Sequence, residues 1–338
     1  MESPITVSLE DLVNGIKDET LDQAFGPDSL GIIVIKDLPS YYQELRLKVL
    51  KSASVLANQP PELLETLEDE ESSWITGWSC GKEKLRSGLP DYNKGSFYVN
   101  CAFHKDDSLE GPSKELCEKF PDYKTYTTPN IWPPSNIKEL ETFKKDMKQL
   151  VNLIIEVAEK VAVNCDNYIS KRFDIEKNYL KRTVQNSTCS KARLLHYYPI
   201  DPNDTNAPNA DDDWCGEHLD HSCITGLTSA LFLDESKDLL HDLPTSPDPT
   251  AGLYIRNRKN EVVKVNIPKD CLAFQTGSAL QEVSKGNFKA VPHYVKGTNI
   301  PNIARNTLAV FCQPDLDEMV NKSENFADFA TRILNSNY

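Results

Sequence analysis

The spacing of apolar residues changes character along this chain. Over residues 1 to about 60, short β-branched runs alternate with amphipathic stretches. Ile5–Leu9 predicts a strand, a helix follows, GIIVIKDLP at 31–39 predicts a second strand, and Tyr41–Leu56 a second helix. Residues 61–135 mix an acidic helix, turns and one aromatic strand-like run, Gly95 to Asn100, and end in the proline-rich TTPNIWPPSN, whose punctuation marks a boundary. From Ile137 to about Phe173, residues such as Leu140, Phe143, Met147, Leu150, Val151, Ile154 and Ala158 recur three and four apart. That spacing predicts the clearest helix of the chain, core-facing along its stripe, with Ser135 or Asn136 as its cap. After Leu194 the pattern becomes strand-like: LLHYYP, ITGLTSALFL, GLYIRN, EVVKVNIP, CLAFQTG, KAVPHYV and TLAVFCQP, separated by turns and by a polar loop at 201–213. Such a succession predicts a jelly-roll or barrel half, closed by one more helix over 316–338.

Composition narrows the class. The 338 residues suffice for one β-rich unit with helical additions, and 39% apolar with 9% aromatic residues describes an ordinary globular protein without a membrane span. A net charge of −14 repels nucleic acid and anionic membrane surface, so neither is an expected partner. A small molecule is the expected partner, and the chain is expected to act as a monomer. The nine cysteines form no CxxC pair and no regular framework, and MESPITVSLE has neither the basic nor the apolar region of a signal peptide. Reduced thiols and a cytoplasmic location are the expectation.

The chemistry lies in a few polar residues of the strand-rich half. In an extended segment, residues two apart share a face, so His218 and Asp220 converge while Leu219 and His221 point away. An isolated HxD occurs readily by chance, but His293 follows on a later strand, and twelve residues beyond it stand Arg305 and Thr307, again on one face. Two imidazoles and a carboxylate suit iron(II) with three positions left open. A buried His–Asp pair or a zinc hydrolase site are the competing explanations of the same residues. A guanidinium grips a carboxylate through two parallel bonds, and a hydroxyl two residues on adds a third, so Arg305 and Thr307 form a clamp for the distal end of a dicarboxylate 2-oxo acid. Tyr198 offers another hydroxyl.

Together these pieces resemble the plant-type, isopenicillin N synthase-like branch of the iron(II)/2-oxoglutarate dioxygenases. The resemblance rests on Tyr198-Pro199, HLDHSCIT at 218–225, GLYI at 252–255, LAFQTGSALQEVSKG at 272–286, AVPH at 290–293 and RNTLAVFCQP at 305–314, with FGPDSLGIIVIKDLP at 25–39 resembling that branch's leading region. Thr307 stands where the family usually has Ser, His196 where many members have Asn, and Tyr294 where Arg often follows the second histidine.

The resemblance implies an α+β fold: a double-stranded β-helix (jelly-roll) core at 186–320, a mixed α/β N-terminal region at 1–185, and a C-terminal helix at 321–338. It implies Fe(II) on His218, Asp220 and His293, with 2-oxoglutarate on Arg305, Thr307 and Tyr198. It further implies oxidation of a small metabolite with O2, releasing succinate and CO2. Phe97, Tyr98, Asn100, His221 and Phe311 are candidate substrate contacts, and Lys82 and Arg86 could meet an acidic one. A metal-holding sensor without turnover, or an iron oxidase that does not use 2-oxoglutarate, are the alternative functions.

Overall fold

The computed structural model describes residues 3–84, 88–172, 175–200, 215–298 and 300–336. Thirteen strands among them form two sheets: β1 Ile5–Ser8, β2 Ile32–Lys36, β3 Gly77–Cys80, β4 Lys94–Asn100, β5 Lys191–Tyr197, β6 Cys215–His218, β7 Ile224–Thr228, β8 Leu231–Asp234, β9 Gly252–Arg256, β10 Val262–Val265, β11 Leu272–Thr276, β12 His293–Lys296 and β13 Ile303–Cys312. The larger sheet runs β1-β2-β11-β7-β13-β5-β4-β3, with β8 paired to the start of β13; the smaller runs β10-β9-β12-β6. Among the described strands β1 and β2 pair in parallel, and the other pairs are antiparallel. The mixed α+β class is therefore as the resemblance implies.

The larger sheet separates two cores, and period-two alternation decides which core each residue joins. On β13, Leu308, Val310 and Cys312 pack into the large apolar core shared with the helices, while Ile303 joins a smaller core between the sheets and Arg305, Thr307, Ala309 and Phe311 line a cavity there. On β2, Ile33 and Ile35 go to the helix side, Ile32 and Val34 to the inter-sheet side. The back of the larger sheet is covered by helices Tyr42–Ala57 and Phe143–Ser170, whose buried Val49, Leu50, Met147, Leu150, Ile154 and Val161 belong to the large core. Gly226 on β7 permits this approach, because a Cβ there would stand 2.5 Å from Ile154 Cγ2.

The long helix begins later than the apolar stripe predicts. A 3-10 turn, Lys138–Leu140, precedes it, and Thr142 occupies the cap position with its hydroxyl donated to Asp146; Ser135 and Asn136 lie outside it. The last helix spans Phe326–Ser336 rather than starting near 316. Asn325 accepts the Asp328 amide at 2.9 Å, the usual N-cap arrangement. Among the described residues no helix is long and apolar enough to cross a membrane.

Candidate metal centre and its cavity

His218 ends β6 and His293 begins β12, and the two are directly paired across the smaller sheet, with ring centroids 4.3 Å apart. Asp220 lies two residues past β6 in irregular backbone, held where its carbonyl accepts the Ser278 amide at 2.7 Å. Gly277 permits this close approach, since a Cβ there would meet the Ser222 carbonyl oxygen at 2.2 Å. One ligand atom from each of His218, Asp220 and His293 lies within 4.8 Å of the others. His218 Nε2 and His293 Nε2 stand 3.7 and 3.8 Å from the same oxygen, Asp220 Oδ1.

Neighbouring hydrogen bonds prepare all three donors. His218 Nδ1 donates to the Gly216 carbonyl at 2.7 Å and His293 Nδ1 to the Val291 carbonyl at 2.9 Å, which makes each Nε2 the acceptor atom; Gln275 Nε2 lies 3.2 Å from that of His293. Asp220 Oδ2 accepts from Thr225 Oγ1 at 2.6 Å and Gln275 Nε2 at 2.7 Å, so Oδ1 is the oxygen left for a cation. Burial by itself would raise the Asp220 carboxyl; His293, His218 and the bonds from Thr225 and Gln275 outweigh it and hold it below the ordinary carboxylate value. Three donors of hard and intermediate character on one side, with space on the other, fit a divalent first-row ion.

That space is a cavity of about 940 Å³ between the sheets. Arg305 and Thr307 line it, as their alternation on β13 requires. Arg305 is only 5% exposed, makes no ion pair among the described residues, and leaves Nε and Nη1 without a hydrogen-bond partner there. Its guanidinium sits 5.2 Å from the ring centre of Tyr197, the residue opposite it on β5. Burial pulls its pKa below the ordinary arginine value. Tyr197 engages the guanidinium as well, but two unpaired nitrogens in a buried guanidinium are costly unless a ligand's oxygens complete them, and a carboxylate matches the fork.

Several expected site residues lie elsewhere. Tyr198 faces the helices, donating its hydroxyl to the Ala57 carbonyl at 2.8 Å; Tyr197 is the tyrosine in the cavity, because Tyr197, Leu195 and Arg193 form the inward row of β5. Phe97 is fully buried on the helix side, packed edge-on against Phe143 at 5.4 Å. Asn100 is also fully buried and is spent on the fold, donating to the Thr188 carbonyl and accepting from the Ala102 amide. His221 turns away from the metal group to Tyr126 Oη at 3.1 Å and stacks on Phe326. Phe311 does line the cavity, and Tyr98 lies under the Arg193 guanidinium at 5.0 Å. Lys82 pairs with Glu68 at 2.8 Å, while Arg86 lies outside the described residues. His196 points to the helix side, its Nδ1 donating to Asn306 Oδ1 at 2.8 Å, so it makes no contact in the cavity. Gln275, Thr225, Tyr197 and Arg193 were not singled out by the sequence.

No family model matches the chain, and no curated protein sequence matches it. Solved structures do. A 2OG-Fe(II) oxygenase family protein from Caulobacter crescentus superimposes with a TM-score of 0.71 at 19% identity, covering 100% of both chains. A full-length Neurospora crassa protein, solved in complex with alpha-KG, gives 0.69 at 19% identity over 97% of this chain and 95% of that one. JOX2, solved with 2OG, Fe and JA, gives 0.64 at 14% identity over 98% and 85%. The chain has the fold of the 2OG-Fe(II) oxygenases. At these identities the likeness concerns the fold, and the chemistry must be argued from the residues.

Proposed function

We propose that this protein is a non-haem iron(II)- and 2-oxoglutarate-dependent oxygenase acting on a small metabolite. The observation that carries the reading is the buried Arg305, with two unpartnered N–H groups, in the same cavity as a three-donor metal group whose outward side is open. His218, Asp220 and His293 would hold the iron, and Arg305 with Thr307 would take the distal carboxylate of 2-oxoglutarate, whose 2-oxo acid end suits the metal. Tyr197, rather than Tyr198, would flank that carboxylate. Iron with 2-oxoglutarate supplies the oxidising power for O2-dependent attack on a C–H bond, with succinate and CO2 as co-products. The chain's own residues orient and dry the site. Thr225 and Gln275 fix Asp220, two backbone carbonyls fix the histidine tautomers, and the walls of Leu195, Leu227, Leu253 and Val295 exclude water around the reacting end.

The same reading takes the two facing sheets as a double-stranded β-helix of the isopenicillin N synthase-like kind. In it, 186–320 is the oxygenase core, 1–185 the supporting α/β region and 321–338 a packing helix. It takes the protein as a cytoplasmic monomer, in keeping with nine free cysteines. Hydroxylation, desaturation and ring closure are all within reach of such a site. The decisive experiment follows succinate formation from 2-oxoglutarate under air with added iron(II), against a broad metabolite panel. Turnover dependent on iron, O2 and 2-oxoglutarate together is expected. Ligand binding without any turnover would make the protein a sensor on this fold, and oxidation that proceeds without 2-oxoglutarate would make it an oxidase.

A further inference from the structure

We propose that Arg193 selects the substrate, and that it does so through a carbonyl or hydroxyl oxygen of an uncharged molecule. The proposal deepens the oxygenase reading and rests on it. Arg193 stands in the inward row of β5, opposite Ala309 on β13, which is itself opposite Leu227 on β7. The next inward pair on β13 and β7 is Phe311 with Thr225, the residue whose hydroxyl bonds Asp220. Arg193 is thus at the metal end of the cavity. Arg305 is opposite Tyr197, four residues away along β5, roughly 13 Å at the usual strand rise. Both guanidiniums border one cavity near Tyr197 and Cys215; Arg305, with two nitrogens unpaired among the described residues, is the one suited to the co-substrate, and Arg193, one inward pair from Thr225, is the one left for the substrate.

Arg193 is also pre-set. Its Nε and Nη2 donate to Ser96 Oγ at 3.0 and 2.8 Å, Nη2 also donates to Glu83 Oε1, and its plane lies over Tyr98. No hydrogen bond engages Nη1 among the described residues. Glu83 Oε2 is taken by Lys94 Nζ at 2.8 Å, and Lys94 reaches Asp91 at 2.8 Å as well. Two cations and two carboxylates therefore cancel. A substrate carboxylate brought to Arg193 would meet the repulsion of Glu83 along with the attraction of the guanidinium, and would lose its hydration with no net charge to offset the loss. An uncharged oxygen loses far less on entry and still accepts from a charged donor, the stronger class of hydrogen bond. Leu195, Leu227, Ala309 and Phe311 supply an apolar wall for the body of such a molecule.

The test measures succinate released above the substrate-free rate for a panel of cyclic imides, lactones and phenols, each matched with a carboxylic acid of similar shape. Wild type is expected to respond to the uncharged members and not to the acids. Arg193→Met should raise KM for the responding compounds on the order of 10- to 100-fold, and Arg193→Lys should recover part of that loss. Glu83→Gln, which leaves the guanidinium charge uncancelled, should extend the response to the acids. A wild-type response to acids alone or to no uncharged compound, an unchanged KM in Arg193→Met, or an unaltered preference in Glu83→Gln would overturn the assignment while 2-oxoglutarate turnover stands. No succinate in any mixture would overturn the oxygenase reading and this assignment with it.

Discussion

Replacing Arg305 by methionine should move stability and co-substrate binding in opposite directions. The side chain is 5% exposed, and its Nε and Nη1 have no partner among the described residues. An unsatisfied buried donor costs about 1–3 kcal/mol, so two cost roughly 2–6 kcal/mol, with cavity water drawing the figure toward the lower end. The stacking on Tyr197 that methionine would forfeit is worth about 0.5–2 kcal/mol. The net expectation is an apo protein more stable by about 1 kcal/mol, a rise of roughly 1–1.5 °C in Tm for a chain of 338 residues. Binding goes the other way. Two charge-assisted bonds to a carboxylate contribute about 1.5–3 kcal/mol each, so affinity for 2-oxoglutarate should fall roughly 10²- to 10⁴-fold. Thermal unfolding with Mn(II) in place of iron, with and without 2-oxoglutarate, reads both effects. At a hundred times Kd the wild-type ligand adds about 2.7 kcal/mol of stability, and the variant should gain almost nothing at that concentration. A variant with a lower apo Tm and an undiminished ligand shift would refute the reasoning: the guanidinium would then be satisfied within the fold, and the anchor would lie elsewhere.

Asp220→Ala should abolish Mn(II) binding in an EPR titration and iron-dependent turnover with it, the fold being retained; near-wild-type turnover would remove Asp220 from the ligand set. Thr225→Val and Gln275→Leu should each weaken metal affinity about 10- to 100-fold, because both hold Asp220 Oδ2; unchanged affinity would mean that the backbone held by Ser278 alone orients the carboxylate. Tyr198→Phe should cost about 1 kcal/mol in a urea titration through its lost bond to Ala57 and leave KM for 2-oxoglutarate unchanged, whereas Tyr197→Leu should raise that KM. Burial would raise the Glu83 carboxyl, but Arg193 and Lys94 override it and hold it at about 2. With its folded pKa depressed, Glu83 contributes stability fully above the ordinary value of about 4.3, and that contribution is lost as pH falls toward 2. Glu83→Gln should therefore flatten the loss of urea midpoint between pH 5 and 2.5, and an equally steep loss in the variant would assign the acid sensitivity to other carboxylates.

The metal donors were legible because three chemically specific residue types sit at strand spacing, and the Arg305-x-Thr307 pair was legible for the same reason. The tyrosine was not. LLHYYP is buried on both faces, so its pattern carries no mark of inside and outside, and a slip of one residue exchanges the two. Only the pairing of Tyr197 with Arg305 decides the face. The same ambiguity misdirected Phe97 and Asn100, since every residue of β4 is buried. Gln275 had a usable signal, a strongly polar residue after the apolar run of its strand, and Arg193 had a weaker one, since Lys191 and His196 share its strand; both stand at the parity that a cavity-facing row demands. The helix boundaries differed for a local reason, an intervening 3-10 turn at Lys138–Leu140 that apolar periodicity does not register.

The alternation of β13 has a genetic consequence. Asn306, Leu308, Val310 and Cys312 turn to the helices or the core behind them, and Arg305, Thr307, Ala309 and Phe311 to the cavity. A saturation library across 304–312, scored separately for soluble yield and for turnover, should split residue by residue into two interleaved phenotypes. Even positions would fail as folding mutants and odd positions as well-folded catalytic variants. Neighbouring codons of one strand thus answer to different selective pressures, so the chain can acquire a new substrate by changing every second residue and leave the scaffold untouched.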